Sequence, residues 1–169
     1  NIGNWNTSSV TNMSNMFQST TAFNQNIGNW DTSKVTNMTQ MFYIATGFNN
    51  GSSSGTAAPR LTWTVNRVTD MSWMFTNATG FNADLSNWDA SSVTTMERMF
   101  ENARAFNNGQ TTVSVGLSTL NAGMKPLGLT TSSLMNVSRM FFDARGFNQN
   151  VNSLDVSRVT NFSYMFAGN

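Results

Sequence analysis

At 169 residues and 39% hydrophobic content, the chain is long enough for one domain with a substantial core. Charged residues make up only 10% and the net charge is +1, which excludes the basic stripe of a nucleic-acid binder and a polybasic membrane patch. Cysteine and histidine are both absent, which removes disulfides, thiolate chemistry, most zinc sites, imidazole bases and the Ser-His-Asp triad.

In chain order, the first element runs from Trp5 through Val10, Met13 and the pair Met16-Phe17 to Phe23. The element occurs six times, anchored at Trp5, Trp30, Trp63, Trp88, Leu129 and Leu154, the sixth copy stopping before its closing Phe. Phe17, Phe42, Phe75, Phe100, Phe141 and Phe166 recur at one position, and with the four anchoring tryptophans they are the predicted core. The spacing from anchor to closing Phe never changes (5 to 23, 30 to 48, 63 to 81, 88 to 106, 129 to 147). The connectors from that Phe to the next anchor span 7, 15, 7, 23 and 7 residues. A basic period of about 25 residues is the mark of a solenoid or array, here a single array over 1–169. One unit buries too little apolar surface to offset the ordering of its own backbone, so units stack to share a core.

Within a unit, Ser14, Thr39, Ser72, Ser138 and Ser163 precede the Met-Phe pair as N-cap types, predicting a short helix or 3-10 turn there. The segment from Val10 to Met13 fits either a longer helix or a brief extended stretch, and its Val-Thr pair favours the extended form. The short connectors carry Ile27, Leu85 and Val151, where a strand of a parallel sheet is expected.

Stacking converts each polar position into a column. Asn24, Asn49, Asn82, Asn107 and Asn148 follow the closing Phe and read as an amide ladder satisfying turn backbone, or else as a ligand-facing row. Asn12, Asn37, Asn136 and Asn161 lie in Asn-x-Ser/Thr sequons, which would carry N-glycans in a eukaryotic secreted protein. The threonines at 11, 36, 69, 94 and 160 read as strand formers, and Asp31, Asp89 and Asp155 as turn or cap residues. One carboxylate every second or third unit is too few for a calcium ladder. No catalytic, cofactor-binding or metal-binding residues are assigned, and no cofactor is expected.

The two long connectors are insertions at about 49–62 and 107–128. Each opens with Phe-Asn-Asn-Gly, and Asn-Gly favours a tight hairpin turn. They should project from one edge, close enough to touch, with 111–115 able to add a strand. Binding often lives on such loops, so Asn50, Arg60, Asn108 and Lys125 are the candidate interaction residues. Neither end of the array shows a polar cap, and the chain opens without Met. It therefore reads as a processed polypeptide, a piece of a longer array, or a unit whose ends stack on copies of itself.

The run from Trp30 to Asn49, Trp-Asp-Thr-Ser-x-Val-Thr-Asn-Met-x-x-Met-Phe-x-x-Ala-x-x-Phe-Asn, resembles a bacterial surface-protein repeat of about 25 residues. That repeat occurs in mycoplasma-type lipoproteins and wall-anchored surface proteins and is similar to the BspA-like leucine-rich repeats. The resemblance implies a leucine-rich-repeat-like solenoid at the cell surface, with adhesion as its usual suggested role. The expected function is thus a non-catalytic extracellular module recognising protein or glycan. The alternative is a structural subunit of a surface filament or sheath, assembling end to end with copies of itself. No apolar run in the sequence approaches a membrane span.

Overall fold

The computed structural model describes residues 1–110 and 126–169. The described residues contain no α-helix, no 3-10 helix and no continuous strand. They form consecutive turns, joined between coils by isolated parallel bridges.

The first coil shows how the residues dictate this. Turns close from Trp5 N–H to Ile2 O (3.0 Å), Val10 to Thr7 (2.9 Å), Met16 to Met13 (3.3 Å), Gln18 to Asn15 (3.0 Å), Thr20 to Phe17 (3.3 Å) and Phe23 to Thr20 (3.1 Å). The intervening donors leave the coil. Met13, Asn15, Phe17 and Ser19 give their N–H groups to the carbonyls of Asn37, Thr39, Met41 and Tyr43 in the second coil. A helix needs each N–H for the carbonyl four residues back. Here alternate N–H groups bond to the next coil, so the expected helix over Met16-Phe17 is replaced by turns. Asn15 and Ser19 have φ of 59°, as the third position of a type II turn requires.

The same four-donor pattern links the other coils, for example Phe42 to Met74 (2.9 Å), Phe75 to Met99 (2.9 Å), Phe100 to Met140 (2.9 Å) and Phe141 to Met165 (2.9 Å). One bridge ladder runs the length of the stack through Asn12, Asn37, Asp70, Thr95, Asn136 and Asn161. It passes through the Val-Thr-x-Met segment. Among the described residues the expected connector strand contributes single bridges, Ala58 to Ala83 and Pro126 to Asn150.

The core is a set of aromatic columns. Phe17, Phe42, Phe75, Phe100, Phe141 and Phe166 stack in that order, with ring centroids 5.4–5.7 Å apart. Phe23, Phe48, Phe81, Phe106 and Phe147 form a second column, each about 4 Å from the Phe of its own coil. Three of the four anchoring tryptophans bury their indoles and satisfy the one polar atom they carry. Trp30, Trp63 and Trp88 donate Nε1–H to Ile2 O (3.1 Å), Ile27 O (3.0 Å) and Leu61 O (2.9 Å) in the coil before. Leu129 and Leu154 take the same column and are also buried. Two predicted core residues are not interior: Trp5 is 55% and Phe166 46% exposed. Trp5 belongs to the first described coil and Phe166 to the sixth.

Candidate functional site

Most of the polar columns are committed to the backbone. Asn24 Oδ1 accepts the N–H groups of Asn49 (2.8 Å) and Gly51 (3.0 Å). Asn49 Oδ1 accepts from Asn82 (2.7 Å), and Asn82 Oδ1 from Asn107 (2.8 Å) and Gly109 (3.1 Å). Asn107 Oδ1 accepts from Asn148 (2.9 Å). The amide nitrogens of Asn24, Asn49 and Asn82 donate to the carbonyls of Ser52, Ser53 and Gln110. The amide ladder is therefore structural, as its turn position suggests.

Three further columns are side-chain-capped turns. The side-chain oxygens of Asn12, Asn37, Asp70, Asn136 and Asn161 each accept the N–H two residues on, from Ser14, Thr39, Ser72, Ser138 and Ser163. Thr95 does the same for Glu97 with its hydroxyl. The residues expected as helix caps are thus themselves donors to a cap two positions earlier. Asp31, Asp89 and Asp155 cap Ser33, Ser91 and Ser157 in the same way, and Asn26 and Asp84 cap Gly28 and Ser86. The hydroxyl of Ser33, and after it the Ser33 N–H, hold Asp31 below its ordinary carboxyl pKa, and the hydroxyl and N–H of Ser157 do so for Asp155. The threonine hydroxyls at 36, 69 and 94 turn back to the carbonyls of Thr11, Thr36 and Thr69.

At the insertions the predicted Asn-Gly turns are present. Ser52 N–H closes onto Asn49 O (3.0 Å), with φ of 48° at Asn50 and 87° at Gly51. Gln110 N–H closes onto Asn107 O (3.0 Å), with φ of 52° at Asn108 and 74° at Gly109. Positive φ at both central residues is the type I′ geometry.

The candidate interaction residues do not meet as an exposed site. Asn50 and Asn108 are wholly buried. Asn50 Oδ1 accepts Ile27 N–H (2.9 Å) and its amide donates to Pro59 O (3.3 Å). Asn108 does the same with Leu85 N–H (2.8 Å) and Pro126 O (3.1 Å). Each pins the root of its insertion to the connector one coil back, so neither amide is available to a ligand. Arg60 is half exposed and pairs with Asp84 through Nε (3.1 Å) and Nη2 (2.8 Å). Lys125 and the 111–115 strand lie outside the described residues.

The first insertion does not project. Gly55 donates to Gly80 O (2.9 Å), Ala58 to Asn82 O (3.2 Å) and Leu61 to Asp84 O (3.3 Å), so the added residues lie along the third coil. They present Ser53, Ser54, Thr56 and Pro59 to solvent as an ordered, uncharged edge.

A second surface feature was not legible in the repeat, because its residues change from coil to coil. Gln40, Trp73, Arg98, Arg139 and Tyr164 share one register position at φ of 54–62°. Arg98 stacks 4.3 Å from the Trp73 ring centre, and Arg139 lies 4.9 Å from that of Tyr164. Glu97 and Glu101 neutralise Arg98 at 3.5 and 3.3 Å. Between the fourth and fifth coils, Arg104 Nη2 meets Asp143 Oδ2 at 2.7 Å with Arg145 on its other oxygen, and the Arg104 hydrogen bond holds the Asp143 carboxyl below its ordinary value.

Among the described residues no group of three His, Cys, Asp or Glu is placed to hold a metal ion, and no helix is long and apolar enough to cross a membrane. No curated protein and no solved structure matches the chain. One family profile matches residues 1–59, 56–124 and 115–169, three consecutive stretches that together cover the repeat array. The chain belongs to the family described as Mycoplasma protein of unknown function, DUF285.

Proposed function

We propose that the chain is a non-catalytic, extracellular or cell-surface repeat module that recognises protein or glycan, built as a leucine-rich-repeat-like solenoid of the BspA-related kind. The solenoid class is supported by in-register backbone bonding from coil to coil and by an asparagine ladder at the turns. The recognition role is carried by one observation. The first insertion is bound to the coil beside it through Gly55, Ala58 and Leu61, and keeps Ser53, Ser54 and Thr56 exposed. An edge held this way loses little conformational freedom on binding, so its hydroxyls and carbonyls are preorganised for an uncharged polar ligand. Chemically that ligand is a neutral glycan or a polar peptide face rather than a polyanion, because the chain carries a net charge of only +1.

Shortening the first insertion by eight residues restores the 7-residue connector found elsewhere (15 − 7 = 8). Asn49 and Asn50 are retained, since both are structural. Binding of the shortened and full chains to arrayed neutral glycans and to intact cell surfaces tests the reading. Loss of binding with an unchanged melting temperature supports it. Equal binding by both chains removes the insertion edge as the recognition surface.

A further inference from the structure

We propose that the surface carrying Trp73, Arg98, Arg139 and Tyr164 is an interface for a second copy of this chain, met side by side and antiparallel across a two-fold axis. The argument starts from the backbone. Each coil holds two turn positions at positive φ. One is occupied by Ser19, Ile44, Asn77, Asn102, Asp143 and Gly168, and all but Ile44 are small or polar types suited to that conformation. The other begins with Asn15 and Gln40 and then carries Trp73, Arg98, Arg139 and Tyr164, at φ of 54–62°. Bulky side chains disfavour this region of backbone space. Their run through consecutive coils points to a task for the side chains and not for the turn.

Those side chains form a row of planar groups along the stack. The Tyr43 ring meets Trp73 edge-on at 6.0 Å, and Arg98 lies 4.3 Å from the Trp73 ring centre. Arg139 lies 5.1 and 4.9 Å from the ring centres of Phe142 and Tyr164. Tyr43, Trp73, Arg98, Arg139 and Phe142 are all half-buried, so the row is held in place by its neighbours. Trp, Tyr and Arg are the residue types that carry most binding energy at protein interfaces. Trp30, Trp63 and Trp88 spend their indole N–H inside the stack. Among the described residues, the Trp73 Nε1–H and the Tyr43 hydroxyl have no hydrogen-bond partner.

The charges select the partner. Glu97, Arg98 and Glu101 leave the fourth coil with one net negative charge on this face, and Arg139 gives the fifth one positive charge. The ion pairs among these four are long, 3.3–3.8 Å, against 2.7 Å for Arg104–Asp143 and 2.8 Å for Arg60–Asp84. They therefore keep capacity for a partner that brings shorter contacts. The face is neutral as a whole and dipolar, which favours a surface with the same charges in reverse order. A copy of the chain turned by half a revolution about an axis between the fourth and fifth coils supplies that order. Its Arg139 then faces Glu97 and Glu101, and its Tyr164 faces Trp73. A patch that pairs with itself in this way closes at two chains. None of these residues belongs to the insertion edge, so this interface and the recognition reading stand or fall separately.

Sedimentation velocity of the full chain over a wide concentration range tests this. The expected result is a monomer–dimer equilibrium with nothing larger. Arg139→Glu sets two acidic groups against each other in the dimer, and Glu97→Arg sets two arginines together. Each variant alone is expected to be monomeric. Their equimolar mixture is expected to dimerise, because both symmetry-related contacts then join opposite charges. Trp73→Gln places there the residue that the second coil carries at Gln40, and should weaken the dimer at least about tenfold with no loss of melting temperature. Circular dichroism checks that every variant is folded, and Trp73→Gln decides alone if a charge variant is not. A wild-type chain that stays monomeric at every concentration overturns the proposal. So does growth beyond two chains, a mixture of folded charge variants that stays monomeric, or a Trp73→Gln dimer as tight as the wild type.

Discussion

The amide ladder makes a graded prediction, because the same residue type at the same register position carries different loads along the stack. Asn82 Oδ1 receives the N–H groups of Asn107 and Gly109, and its Nδ2 donates to Gln110 O. Asn82→Ala removes all three partners and strands the buried Asn107 N–H and the part-buried Gly109 N–H. Leaving a buried donor unsatisfied costs about 1–3 kcal/mol, so the substitution should destabilise by roughly 2–4 kcal/mol. Asn148 occupies the same column in the fifth coil, is exposed, and is held through its own backbone N–H, which alanine keeps. Asn148→Ala should therefore change stability by less than about 0.5 kcal/mol. Urea unfolding followed by tryptophan fluorescence measures both, and amide hydrogen exchange at residues 107 and 109 localises the first. Equal costs for the two variants, or an Asn82→Ala chain as stable as wild type, would refute the ladder as a stabilising device.

Phe75 stacks on Phe42 (5.4 Å), Phe100 (5.7 Å) and Phe81 (3.9 Å), and is fully buried. Phe75→Ala should cost about 3–5 kcal/mol in urea denaturation. Phe166→Ala, half exposed and stacked only on the Phe141 ring, should cost about 1 kcal/mol. Ile44 is β-branched at φ of 59°, where its column elsewhere carries Ser19, Asn77, Asn102, Asp143 and Gly168. Ile44→Asn should stabilise by about 1 kcal/mol in the same assay, and a destabilised variant would show that Ile44 packing outweighs its strain. The Asp143 carboxyl is held below its ordinary value of 3.8 by Arg104 first and Arg145 second. Its contribution is complete above the ordinary carboxylate range and is lost as pH falls through the lowered folded-state value. The wild-type melting temperature should therefore fall more steeply below about pH 4 than that of Asp143→Asn, and parallel curves would remove the carboxylate from the acid response.

The repeat was legible because its apolar residues are spaced without variation. Five of the six anchors keep one fixed spacing to a closing Phe, and stacking places like residues on like, as the Phe42–Phe75–Phe100 column shows. The amide ladder was legible for the same reason, as was the Asn50-Gly51 turn, since only a few residue types accept two successive positive φ values. Backbone conformation was not. Val10 to Phe17 satisfies helical and extended spacing alike, and the choice fell to turns because the N–H groups of Met13, Asn15 and Phe17 are claimed by Asn37, Thr39 and Met41 of the next coil, partners far along the chain. The positions at φ above zero were hidden because Trp73, Arg98 and Ile44 occupy them against their own preference. The accessibility of the candidate site was equally undecidable from order alone. Asn50 and Asn108 sit on insertions and look exposed, yet both are drawn inside by the N–H groups of Ile27 and Leu85.

What the sequence determined by itself is thus the period, the columns and where length may vary, all of which are local spacings. Tertiary structure decided which column members lie inside and which amides are consumed. Trp30 gives its indole N–H to Ile2 O of the coil before and is 3% exposed, a burial that depends on a carbonyl 28 residues away and not on any local spacing.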